Sequence, residues 1–136
     1  MKVWWERLDE NQEALEEQFE QLRTALKNND MKQFREIFLE LHIYEQGQFY
    51  QSLDETDRHI MYAYLSPKEM ADMFDVIEED NEHMTEYLSE MRPRYAADML
   101  AEMYTDNAVD LLNTLDKKQM AKYLSIMPSE SAREIR

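Results

Sequence analysis

Apolar residues recur at a fixed interval along most of this chain. From Leu41 onward an apolar anchor reappears at Leu53, Leu65, Ile77, Met91, Met103, Leu115 and Met127, with spacings of 12, 12, 12, 14, 12, 12 and 12 residues. Eight and nine residues after the anchors up to Leu115 comes an apolar pair: Phe49/Tyr50, Met61/Tyr62, Met73/Phe74, Met99/Leu100, Leu111/Leu112 and Tyr123/Leu124, with Tyr87/Leu88 in the longer unit. A small residue often holds the sixth place, as at Gly47, Ala71, Ala97, Val109 and Ala121, where a second helix can approach closely.

Helix-start chemistry follows the same period. Ser66-Pro67-Lys68-Glu69 combines an N-cap serine, a proline at the first helical position and a glutamate placed to complete a capping box. Asp54, Asp116, Pro93 and Pro128 repeat parts of that signal. A new helix is therefore expected about every twelve residues, each with only eight or nine helical positions. Helices so short neither bury an apolar stripe alone nor persist alone in water, so successive helices must stack. The fold expected is all-α: a solenoid-like superhelix of short stacked helices, right- or left-handed.

Ahead of the repeats, residues 8–29 read as one long helix, with Leu8, Leu15, Phe19, Leu22 and Leu26 at helical spacing and glutamates on the other faces. Asn28-Asn29-Asp30 ends it, and residues 31–41 form a second helix with Phe34, Ile37, Phe38 and Leu41 on one side. No low-complexity linker follows. The expectation is one domain over residues 1–136, comprising two N-terminal helices (1–41) and the twelve-residue repeats (42–136), with the first few residues frayed.

Composition agrees with helices and narrows the chemistry. One Gly and three Pro leave few places for tight hairpins, and 43% hydrophobic residues suffice for a core. The absence of Cys excludes disulfides, thiolate zinc sites and thiol nucleophiles, and suits an intracellular location. No apolar run approaches the roughly 20 residues of a membrane span, so no direct membrane insertion is expected of this segment. Residues 1–10 are charged and lack the apolar region of a signal peptide. Thirty acidic against fifteen basic residues give a formal charge of −15, which repels nucleic acid and anionic lipid and attracts cations or a basic protein face.

Catalytic constellations are missing. The serines and histidines are scattered outside any recognisable triad context, and a single Gly47 cannot make a phosphate cradle. Asp80-Asn81-Glu82-His83 is the nearest approach to a di-iron motif, but it occurs once and has the wrong acid. No enzyme is expected. His42 suits a helix end, His59 should be half-buried in the small-residue place, and His83 should be solvated. Met61, Met73, Met91, Met99, Met103 and Met127 all fall on anchor or pair positions and belong to the core. Adjacent Trp4 and Trp5 cannot both face one core, which leaves either a loosely packed N-terminal arm or a partner contact.

The acids remain. The seventh place after the anchor carries Asp72, Glu86, Asp98 and Asp110, which stacking would line along one ridge. Asp106 sits four residues before Asp110, so two carboxylates share a helix face at a cost of about 0.2–0.5 kcal/mol. They form either a solvated face or half of a cation site. Mg²⁺, which keeps several waters and takes only one or two protein carboxylates, suits such a half-site, whereas no calcium-binding loop is present.

Several segments resemble the cytosolic N domain of MgtE-type magnesium transporters. Leu22-Arg-Thr-Ala-Leu-Lys-Asn-Asn-Asp30, Phe34-Arg35 and Leu41-His42 resemble that family's opening helices and its Leu-His start of the repeats. Leu65-Ser-Pro-Lys-Glu-Met-Ala-Asp72, Met91-Arg-Pro-Arg-Tyr-Ala-Ala-Asp98 and Tyr104-Thr-Asp-Asn-Ala-Val-Asp110 resemble its Leu-x-Pro-x-x-Ala-Ala-Asp/Glu-Leu-Leu pattern, over about residues 20–136. The resemblance implies a regulatory domain on the cytoplasmic side of the cell membrane, in a homodimer with a transmembrane domain. It further implies weak Mg²⁺ binding through Asp106, Asp110 and Asp72, shared with an adjacent pair of cystathionine-synthase-type domains, favouring a closed pore. Ile43 and Asn107 depart from the family pattern, the latter standing where an acid is common. The alternative is a metal-free, protein-binding helical scaffold of the flagellar motor switch type.

Overall fold

A computed structural model describes residues 3–135, apart from the side chains of Trp4, Leu8, Asp9 and Ser129. Expectations for residues 1 and 2 and for the side chains of Trp4 and Leu8 lie outside the described residues. Among those described, every regular element is an α-helix, and none is long and apolar enough to cross a membrane. Packing separates two units, the first ending at His42 and the second beginning at Ile43.

The first unit consists of α1 (Trp4–Lys27) packed against α2 (Met31–Phe38). Leu22, Ala25 and Leu26 are buried, while Leu15 and Phe19, a turn or two earlier on the same stripe, are half-buried. Asn29 ends α1 in the left-handed region at φ 56°, which an asparagine adopts more readily than most residues. The amide of Asp30 then donates to Ala25 O at 2.9 Å and that of Asn29 to Leu26 O at 3.3 Å, the paired bonds of a Schellman cap. Asp30 serves the next helix too, its carboxylate accepting the Gln33 N–H at 3.1 Å. Helix α2 buries Phe34 and Phe38 with their rings 5.1 Å apart. It stops short of the expected residue 41, because the chain tightens into a turn in which the Leu41 amide donates to Phe38 O at 3.1 Å.

The second unit holds the repeats: α3 (Ile43–Ser52), α4 (Glu55–Tyr64), α5 (Pro67–Phe74), α6 (Asn81–Glu90), α7 (Pro93–Glu102), α8 (Thr105–Leu112), α9 (Lys117–Ile126) and α10 (Ser129–Ile135). Asp54, Ser66, Asp80 and Asp116 each accept a backbone N–H from the residue three further on. Ser66 and Glu69 complete the predicted capping box.

The anchors are the residues that close helices. Leu65, Met91, Met103 and Met127 are buried C-caps in extended or near-extended conformation. Leu65, Met103 and Met127 donate their amides to Met61, Met99 and Tyr123, the first members of the apolar pairs, at 2.9–3.1 Å. Ile77 and Leu115 are only half-buried. They sit in the two longer connections, after helices that end on αR residues Asp75 and Asn113. Six of the seven first pair residues are aromatic or methionine, and all seven are buried. Gly47 also earns its place sterically, since a Cβ there would lie 3.3 Å from Ile77 Cγ1.

Stacking differs from the expectation in one respect. The main contacts join alternate helices, α3 with α5, α5 with α7, α7 with α9 and α8 with α10, while α8 makes lesser contacts with both α6 and α7. Most connections are two residues long, so the chain turns away after each helix and the next helix but one returns alongside.

One buried charge network joins α3, α4 and α6. The Arg58 guanidinium is bidentate to Glu90, with Nε 3.0 Å from Oε2, and Nη1 donates to Leu53 O. Tyr62 donates to Glu90 Oε2 at 2.6 Å, and the Tyr50 and Tyr62 hydroxyls lie 2.6 Å apart. Arg58 also lies over the Tyr87 ring at 5.0 Å. The side chains of Arg58 and Glu90 are only 10% and 2% exposed, so each charge depends on the other. Hydrogen bonding to Glu90 holds the guanidinium protonated still more firmly than usual, and burial drives the Tyr50 and Tyr62 hydroxyls above their ordinary range.

Two stability outcomes follow from this packing. Met99→Ala, at a fully buried pair position, is expected to lose about 2–5 kcal/mol by urea denaturation. Glu90→Gln strands a buried guanidinium and is expected to lose about 3–5 kcal/mol. The quadruple change Tyr50→Phe/Arg58→Met/Tyr62→Phe/Glu90→Leu should fall within about 1 kcal/mol of the parent, because it removes the charges and the hydroxyls bonded to them together. Equal losses in the two proteins would mean that packing volume, not charge, is what matters there.

Candidate metal-binding site

Helix α8 carries the two foremost metal candidates. Ala108, Leu111 and Leu112 are buried and fix its orientation, which leaves Asp106 and Asp110 exposed on the outer side, one turn apart. Neither carboxylate has a hydrogen bond or ion pair among the described residues. Among the described residues, no cation offsets their mutual repulsion.

The start of α8 is secured from another helix. Asp75, the C-cap of α5, accepts the Tyr104 N–H at 3.2 Å on Oδ1 and 3.3 Å on Oδ2, and it accepts Asn107 Nδ2 at 3.0 Å. Asn107 thus neutralises nothing but satisfies Asp75; an acid at this position would face a second carboxylate. Asp110 lines a cleft of about 280 Å³ together with Asp75, Glu79 and Asn107, over an apolar floor that includes Phe74 and Met103. Asp75 and Glu79 were not singled out by sequence. The signal that points to them is the one 14-residue spacing, whose extra length forms the acidic α5–α6 connection.

Asp72, the third candidate, is placed differently. It is half-exposed on α5 and paired with Lys68 at 3.0 Å, and this pairing raises the lysine's pKa. Asp98 on α7 is paired in the same way with Arg94 at 3.4 Å. The single ridge of Asp72, Glu86, Asp98 and Asp110 does not form. Because alternate helices stack, Asp72 and Asp98 follow the α5–α7 row, and Glu86 and Asp110 follow the α6–α8 row.

His59 is exposed where half-burial was expected, since Arg58 takes the inward place on α4 and the next residue turns outward. His83 is solvated as expected, with Nδ1 2.7 Å from Asp80 Oδ1 and 3.7 Å from Glu79 Oε1. The Asp80 hydrogen bond raises the imidazole pKa, while the His83 backbone N–H, and then its ring, lower that of Asp80. Glu79, Asp80 and His83 form the only trio among the described residues whose potential ligand atoms lie within 4.8 Å of one another. Asp80 and His83 are already engaged in starting α6 and in each other. Asp72, Asp106 and Asp110 are not part of any such group, so among the described residues they do not form a closed coordination shell.

In class, the chain is an acidic α-helical repeat module with two exposed carboxylates on one face of α8. Residues 41–136 match the family model of the MgtE intracellular N domain, and the chain belongs to that family. Of the two expectations, the match supports the transporter domain over the motor-type scaffold, and the family is one of transporter domains, not of enzymes. The magnesium transporter MgtE of Enterococcus faecalis is 72% identical over 91 residues, 67% of this chain and 20% of that protein. The crystal structure of the soluble part of a magnesium transporter superimposes with a TM-score of 0.85 at 74% identity, covering 89% of this chain and 47% of that one. The cytosolic domain of the Mg²⁺ channel MgtE, solved in complex with ATP, shares the fold with a TM-score of 0.73 at 20% identity, over 86% of this chain and 48% of that one. The chain thus spans about a fifth of the curated relative and about half of each solved chain.

One substitution probes the departure at position 107. Asn107→Asp places a carboxylate against Asp75 and is expected to lower stability by about 1–3 kcal/mol in chelator. Thermal unfolding should show part of that loss recovered in millimolar Mg²⁺; a loss indifferent to the ion would mean that the cleft does not hold one.

Proposed function

We propose that this chain is the cytosolic regulatory N domain of a magnesium transporter or channel, and that it senses intracellular Mg²⁺ through carboxylates completed by a neighbouring part of the same protein. The observation that carries the reading is the pair Asp106 and Asp110: two exposed carboxylates one turn apart, with no cation partner among the described residues, in a family of magnesium-transporter domains. Asp72 joins them as a weaker contributor, since Lys68 competes for its carboxylate.

The mechanism is a charge switch. The chain carries a formal charge of −15, and an adjacent pair of cystathionine-synthase-type domains presenting further acids is repelled while Mg²⁺ is scarce. As Mg²⁺ rises, hydrated ions bridge the two faces. Only the closed arrangement offers ligands from both sides, so the ion shifts the population toward it and toward a closed pore in the homodimer. A half-site of this kind binds weakly by itself, because Mg²⁺ gives up few of its waters to one or two carboxylates.

Asp106→Asn/Asp110→Asn in the longer soluble region is expected to raise the Mg²⁺ midpoint of compaction about tenfold or more, read by small-angle scattering. A midpoint equal to that of the unaltered protein removes these residues as ligands.

A further inference from the structure

Tyr104 is the most exposed large hydrophobic side chain among the described residues, at 73%. It occupies the N-cap of α8, a position that favours Ser, Thr, Asp or Asn. Helices α4, α5, α6 and α9 begin on such residues with the capping bond made, whereas Tyr104 gives α8 no side-chain cap. The Asp75 carboxylate from the end of α5 takes the Tyr104 N–H at 3.2 Å and Asn107 Nδ2 at 3.0 Å, and so holds the start of α8 in place without capping its free N–H groups. Neither packing nor capping accounts for a tyrosine at this position. What the arrangement does achieve is a large amphipathic ring in solvent on a backbone that is pinned in place, the pre-organised form of an interface anchor.

We propose that Tyr104 is a docking anchor that seats in a pocket on the remainder of the same transporter's soluble region. The proposal rests on the sensing reading above. This chain covers 47% of the solved soluble part at 74% identity, so that relative's soluble part holds as much chain again for the ring to meet. Asp106 and Asp110 lie on the same short helix, so the surface that receives Tyr104 is also the one that shares the ion. Aromatic contact supplies the affinity and the geometry of the encounter, and Mg²⁺ removes the repulsion that opposes it.

The full-length transporter carrying Tyr104→Ser tests this through two readouts of opposite sign. The Mg²⁺ midpoint for protection of the soluble region against limited proteolysis is expected to rise about fivefold, as for a truncated interface aromatic. The thermal midpoint in Mg²⁺-free buffer is expected to stay level or rise, since serine can cap α8. Tyr104→Phe should keep the parental Mg²⁺ midpoint within about twofold, the ring being retained. An unchanged midpoint in Tyr104→Ser, or a fall in its thermal midpoint, overturns the anchor. If Asp106→Asn/Asp110→Asn shifts the midpoint in the same assay while Tyr104→Ser does not, the anchor fails and the sensing reading stands. A shift with Tyr104→Ser alone keeps the anchor and removes the sensing.

Discussion

No helix of the repeat unit exceeds ten residues, and none can stand without its neighbours. This constraint organises everything else in that unit. Along the α3–α5–α7–α9 row each helix packs on the one two places away, the first residue of every apolar pair is buried, and buried anchors close α4, α6, α7 and α9. Once the pair, the anchor and the small residue are placed, the remaining positions of an eight- to ten-residue helix are free to be polar. The excess of acid gathers on those outward positions, where water screens it.

The same chemistry has two fates here, decided by where a helix directs it. Arg58 and Glu90 are withdrawn from water, and each is satisfied by the other and by Tyr62, Leu53 O and the Tyr87 ring. Such a pair contributes little net stability over an apolar isostere, although losing one partner alone is costly. Asp106 and Asp110 face outward, where their charge stays open to an ion or a neighbour. Asp75 stands between these cases: it is used structurally to start α8, and it lines the cleft beside Asp110.

The candidate site was only partly legible. Asp106 and Asp110 were identifiable because four-residue spacing places two side chains on one helix face whatever surrounds them. Asp75 and Glu79 were not, since their approach to α8 depends on how the long α5–α6 connection folds back. Asp72 was identifiable as an acid in register, but its ion pair with Lys68 depends on rotamers that residue type does not decide. The ridge of four acids failed for a plain reason: a period of twelve residues in sequence becomes a stacking period of two helices in space. His59 failed because Arg58 displaced it from the inward position.

Sequence by itself determined the repeat helices, the caps at Asp54, Ser66 and Asp116, the anchors that close α4, α6, α7 and α9, and the buried first residue of each apolar pair. Those features follow from local periodicity and local capping, which act over three to nine residues and need no knowledge of the fold. Tertiary structure alone decided which helices stack, that an arginine and a glutamate 32 residues apart share one buried site, and that Asp75 takes the amide of Tyr104, 29 residues on, at the start of α8. Contacts at that range depend on the direction in which each short connection sends the chain, and two residues of sequence do not specify an angle.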